Sequence, residues 1–158
     1  DETLFAHMEE IDYHWRCHLM GHSVWVEPKS YIYHMGGSTL AYNSSKKTYL
    51  NHRNSLLLLL TNYSFLLSIY LLLPRLVMEI ISLFKYLFTF KINHFWAQIK
   101  ALIWIIFHPH TIIRRRLQAW KLRRVKDSEI FDKMYPQSIV WQYFVKQLKT
   151  YNQLKGKR

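Results

Sequence analysis

Glu9, Glu10 and Asp12 set three carboxylates within four positions, in a stretch His7-Met-Glu-Glu-Ile-Asp-Tyr-His-Trp-Arg16 that also holds His14 and Trp15. Adjacent carboxylates beside an arginine and an aromatic ring can push one pKa up and hold another down, as a general base taking a proton from a hydroxyl requires. The same residues have a structural reading: acids near a helix start favour its dipole, and Asp12–Arg16 at i, i+4 is a routine surface pair. His34 stands before Gly36-Gly37 in "YHMGGS", where glycine lets the backbone approach a ligand closely. That makes His34 a candidate for contact with a metal or phosphate; a histidine at a strand end is otherwise a hydrogen-bonded structural residue. His14 and His18 are four apart, yet no third ligand and no H-E-x-x-H pattern accompanies them, which argues against zinc-protease chemistry.

The chain that must position these groups has 158 residues, 50% apolar and 16% aromatic, enough to bury a core. A single cysteine, Cys17, excludes an internal disulfide and a cysteine-rich zinc site and fits a reducing compartment. The opening "DETLF" lacks the basic and apolar runs of a secretory leader, so the chain reads as an internal piece of a longer protein. Charge divides sharply along it. Residues 1–27 carry six acids against one base, a balance of −5, and the remainder carries 21 bases against four acids, a balance of +17.

Apolar positions Leu4, Met8, Ile11, Trp15 and Leu19, followed by Gly21, predict an amphipathic helix over 4–20 carrying the acids. Val24-Trp-Val26 and Tyr31-Ile-Tyr33, separated by Pro28-Lys29, predict two short strands. A polar stretch from Ser38 to Asn54 runs from loop into helix. Residues 55–73 are uncharged, nearly the length that crosses a bilayer, and are ended by Pro74-Arg75. Beyond them Arg75, Glu79, Ser82, Tyr86 and Thr89 share one helical stripe, the pattern of an interfacial helix with its polar stripe toward water. Phe95–Phe107 is a third greasy segment, with Trp96 and Trp104 suited to headgroup level.

The run "RRRLQAWKLRRVK" at 114–126 is dense in bases and has no acid. Basic residues interleaved with an aromatic suit nucleic acid. Following three greasy segments they suit anionic lipid better, at about 1 kcal/mol per base near the surface. Three divisions result: residues 1–54, which begin with the acidic helix, a hydrophobic 55–110 and a basic helical tail 111–158.

In order, "FAHMEEIDYHWR", "GHSVWVEPKSYIYHMGGST" and "KTYLNHRN" resemble the C-terminal part of the catalytic domain of bacterial family 2 glycosyltransferases, in the rhamnosyltransferase-like branch. The resemblance covers about a third of the chain. It implies an α/β fold, the C-terminal fragment of a GT-A nucleotide-diphospho-sugar transferase domain with a short two-strand element, followed by membrane-associated helices. It implies an inverting transfer of a sugar from a nucleotide-sugar donor to a glycan or lipid-linked acceptor, in cell-envelope polysaccharide synthesis at the cytoplasmic face of the membrane. Glu10 matches the family's general base, where many members have Asp. Glu9, Asp12 and Arg16 would orient the base and the acceptor, or hold the helix; Trp15 would join Arg16 in binding substrate, His34 would approach the metal-diphosphate region, and Arg53 would help bind the nucleotide diphosphate. The resemblance further implies a divalent cation, magnesium or manganese, held mainly by an N-terminal half that bears a D-x-D motif. This sequence contains no D-x-D. The rival reading is a non-catalytic helical membrane protein with a basic cytoplasmic tail.

Overall fold

A computed structural model of the chain describes residues 1–33, 40–41, 43–135 and 137–155. Among them are eight helices and no strand: α1 (Glu9–Leu19), α2 (Ser45–Asn62), α3 (Phe65–Phe88), α4 (Ile92–Phe107), α5 (Pro109–Leu122), α6 (Asp127–Phe131), α7 (Ile139–Phe144) and α8 (Tyr151–Lys155). The α/β expectation, a GT-A fragment with a two-strand element, is therefore corrected to an all-helical architecture over the described residues. The β-forming runs explain the difference. A strand is held by a neighbour's ladder, and the hydrogen bonds of residues 23–33 stay within one local turn, where the Ser30 N–H donates to the Glu27 carbonyl and the Lys29 N–H to its carboxylate, both at 3.0 Å. Trp25, Val26, Tyr31, Ile32 and Tyr33 are all exposed. A β-former's preference is for a half-buried pleated surface, which no other described segment supplies.

Contacts divide the chain into two units, Asp1–Val125 and Lys126–Arg158. In the first, α2 and α4 pack most extensively; α3 leans on both, and α5 joins α2 to α1. Its apolar centre is Leu4, Leu57 and Leu58, with Met8, Trp15, Trp104, Ile105 and Ile112 packed around them. The second unit holds the short helices α6 to α8, with Ile130 and Gln142 buried.

The acidic helix is shorter than its apolar spacing suggests because the chain before it turns sharply. Phe5, His7 and Met8 have φ of 61°, 67° and 70°, left-handed values that branched or bulky residues hold only when their surroundings compel it. Here α2 compels it. Asn54 Nδ2 donates to the carbonyls of Leu4 (2.9 Å), Ala6 (2.9 Å) and His7 (2.8 Å), and Arg53 Nη2 donates to those of Thr3 (2.8 Å) and Leu4 (3.1 Å). The far end of α1 behaves as its glycine predicts. Gly21 sits at φ 84°, its N–H bonds the His18 carbonyl and the His22 N–H bonds the Cys17 carbonyl, both at 2.9 Å, a paired closure of the last turn.

Two hydrophobic expectations also change. Residues 55–73 are not one segment, since α2 ends at Asn62 and α3 begins at Phe65. Pro74 lies inside α3 instead of ending a helix, on an exposed position. Only the carbonyl of Tyr70, four residues earlier, loses its usual partner there.

Candidate functional site

The three carboxylates of α1 have different fates. At about 100° per residue Glu10 and Asp12 point to nearly opposite sides of the helix. Asp12 is fully buried against α2 and α5. Its Oδ1 accepts from Arg115 Nη2 at 2.9 Å and from Asn62 Nδ2 at 3.1 Å. Arg16 Nε stands 3.0 Å from Oδ2, the i, i+4 pair read from the sequence, though off the line of a directed hydrogen bond. Arg115 is itself buried and also pairs with Asp1. Burial pushes the Arg115 guanidinium below its ordinary pKa, opposed by the charge of Asp12. Glu9 and Glu10 are exposed, and among the described residues no hydrogen bond or ion pair engages either carboxylate.

Trp15 is half-buried in the apolar centre, its ring edge-on to Tyr63 with centroids 4.6 Å apart. Arg53 is also committed to the interior. Besides the carbonyls of Thr3 and Leu4, its Nε donates to Asn54 Oδ1 at 2.9 Å, and its guanidinium lies 5.3 Å and 5.0 Å from the ring centres of Tyr49 and Trp104. His34 lies outside the described residues. The structure thus gathers Asp12, Arg16 and Trp15 on the inner side of α1, and leaves Glu9 and Glu10 on open surface.

Beside α1 a pocket of about 610 Å³ is lined by charged groups, among them Asp1, Glu2, Arg16, Arg114, Arg115 and Lys121. Such walls suit a polar ligand. Glu10 is not among them. No group of three His, Cys, Asp or Glu side chains gathers among the described residues. The buried carboxylate of Asp12 is occupied by arginine and amide donors, so these residues do not fit a divalent cation.

The arginines of "RRRLQAWKLRRVK" partly turn inward. Arg116 donates to the carbonyls of Leu60 and Tyr63 (3.1 Å for the latter), and Arg123 Nη2 to that of Asn62 at 2.5 Å. The last turn of α2 has no basic residue of its own, and Arg116 of α5 and Arg123 just after it supply the cations its terminal carbonyls attract.

Sequence reasoning left a second cluster unrecognised as such. Arg75 and Glu79 of α3 face inward, where they were expected to face water. Glu79, 2% exposed, accepts from Arg75 Nε at 2.8 Å and contacts His52 Nδ1 of α2 at 2.7 Å. Gln98 Nε2 of α4 donates to the Glu79 carbonyl at 2.9 Å, and Arg75 Nη2 reaches Ser55 Oγ at 2.7 Å. The signal was the lone acid between residues 28 and 126, set four residues after an arginine in a greasy run. Burial raises the Glu79 pKa, but the hydrogen bond and charge of His52 and the charge of Arg75 outweigh it, leaving the carboxyl below its ordinary value.

The stabilisation from that depressed carboxyl is therefore complete above the ordinary carboxylate range and is lost as pH falls through the folded-state value. Unfolding free energies of the wild type and Glu79→Gln, measured by urea titration from neutral to acid pH, should converge on the acid side. A gap that stays constant with pH would assign the cluster no ionic role.

Compared with protein-family models, curated proteins and solved structures, the chain matches none.

Proposed function

We propose that this chain carries the acceptor-side residues of an inverting glycosyltransferase, which moves a sugar from a nucleotide-sugar donor to a hydroxyl of a glycan or lipid-linked acceptor. The reading is supported by the three motifs standing in order, "FAHMEEIDYHWR", "YHMGGS" and "NHRN", which resemble the family 2 enzymes. The observation that carries it is the sorting of carboxylates on α1. A general base must be free to meet the incoming hydroxyl; Asp12 is buried in ion pairs, whereas Glu10 is exposed and unengaged among the described residues.

Glu10 takes the acceptor proton as the hydroxyl oxygen bonds the sugar's anomeric carbon and the nucleoside diphosphate departs with the electron pair of the broken bond. Asp12 and Arg16 hold α1 in place. Arg53 acts by fixing the Thr3–His7 turn that leads into α1, in place of a contact with the diphosphate. No step here is assigned to a metal, since the described donors do not fit one.

The decisive measurement is acceptor-dependent release of nucleoside diphosphate by the protein as expressed from its own gene, with Glu10, Glu9 and Asp12 changed one at a time to their amides. Loss of turnover in a folded Glu10→Gln variant is expected. Turnover near normal in that variant would remove Glu10 as the base. Failure of the unchanged protein to release diphosphate from any of the common nucleotide sugars would favour the non-catalytic reading, which the structural roles of Asp12 and Arg53 also suit.

A further inference from the structure

The 24 residues of α3 are turned inside out relative to a helix of a water-soluble bundle. Its inward stripe is polar: Ser68, Arg75, Glu79 and Tyr86 meet α2 and α4. Its outward surface is apolar, with Ile69, Leu73, Val77, Ile80, Ile81 and Phe84 all exposed. At about 100° per residue the exposed positions between Phe65 and Phe88 sweep about 220° of the helix circumference. One partner helix covers a stripe of about 100°, so a single protein contact would leave much of this arc in water.

Charge narrows the occupant further. The only acid on α3 is the buried Glu79, and α4 has none. The exposed charges of the two helices and their connection are Lys85, Lys91 and Lys100. A second copy would bring like charges together, whereas a bilayer with anionic headgroups meets both the lysines and the broad apolar arc.

The packing of α2 decides how α3 lies. α2 runs antiparallel beside it: Leu59 accepts from Ser68 at 3.0 Å, Ser55 from Arg75, and His52 meets Glu79. Lys46 and Lys47, one to two turns before His52, therefore run alongside the C-terminal part of α3. A spanning α3 would draw His52 and the Arg75–Glu79 pair into the hydrocarbon; an α3 lying flat keeps them, with the lysines, on its water side.

We propose that the outer face of α3, with its flanking lysines, is a docking surface for an anionic lipid bilayer, on which α3 lies in the plane of one leaflet. The Arg75–Glu79–His52–Gln98 cluster fixes the rotation of α3 that presents this face. The inference goes beyond the sugar-transfer reading and is measured without donor or acceptor.

The test is co-sedimentation of the protein with phosphatidylglycerol/phosphatidylcholine vesicles, with phosphatidylcholine vesicles alone, and light scattering of the free protein in mild detergent. Expected are binding to the anionic vesicles, weaker binding to the neutral ones, and release by alkaline carbonate. Val77→Glu with Ile81→Glu, checked for unchanged helix content by circular dichroism, should lower the vesicle-bound fraction by about tenfold or more. Should that pair not fold, Val77→Ser with Ile81→Ser gives a smaller loss in the same direction. Binding unaffected by both pairs, binding that resists carbonate, or a detergent-stable dimer that both pairs dissolve without any vesicle binding would each overturn the proposal.

Discussion

Asp12→Ala should destabilise the Asp1–Val125 unit by about 3–5 kcal/mol, the usual loss when one partner of a buried ion pair is removed. The size comes from what the substitution leaves behind. Arg115, 4% exposed, would keep Asp1 as its sole carboxylate partner, and Asn62 Nδ2 would lose its bond to Oδ1. Arg16 loses less, because its side chain is 34% exposed and water can take over its charge. For a domain of this size the change corresponds to a fall in Tm of about 10 °C or more. Arg115→Met in the Asp12→Ala background should recover part of the loss, because no buried cation then lacks its partner. Thermal unfolding of the two single variants and the double variant measures this. A Tm for Asp12→Ala within experimental error of the wild type would show that Asp12 does not lock α1 to α2 and α5.

That lock was only half legible in the sequence. Asp12–Arg16 follows from helical spacing, but Asn62 and Arg115 arrive from 50 and 103 positions away, and nothing local announces them. Periodicity names the residues that share a face without saying what the face meets. The stripe through Arg75, Glu79 and Tyr86 was legible for that reason, and its direction was not: a polar stripe in a greasy helix serves equally to face water or to pair with buried partners. His52, Ser55 and Gln98 decided it, and each is unremarkable on its own helix. Pro74 misled for a related reason, since a proline's cost is one lost hydrogen bond and a carbonyl clash, which an otherwise well-packed helix can carry. The β-formers around Trp25 and Ile32 misled most. Their preference is expressed only beside another strand, and none of the described segments is one. Arg53 was legible as a residue worth attention, while its work with Asn54, holding three left-handed residues ahead of α1, depends on a backbone shape no pattern of residues encodes.

Glu10→Gln should lower turnover by about 10²- to 10⁴-fold, the contribution typical of a positioned general base. The same change should leave unfolding free energy within about 0.5 kcal/mol, because an exposed side chain without a partner contributes little to stability. Asp12→Asn inverts the pair of outcomes: its stability falls, and any loss of turnover follows the unfolded fraction. Glu9→Gln separates proximity from function, since Glu9 neighbours Glu10 in sequence and is equally exposed but projects about 100° away around the helix. Its turnover should change by no more than a few-fold. The pH profile adds a readout that a structural role would not move, because an acid limb in kcat/KM that reports ionisation of the base must vanish in Glu10→Gln and persist in Glu9→Gln. Equal losses in the two glutamine variants, or an acid limb surviving in Glu10→Gln, would place the base elsewhere. Asp12 could not then be its replacement without breaking the contacts to Arg115 and Asn62 that hold α1 in place.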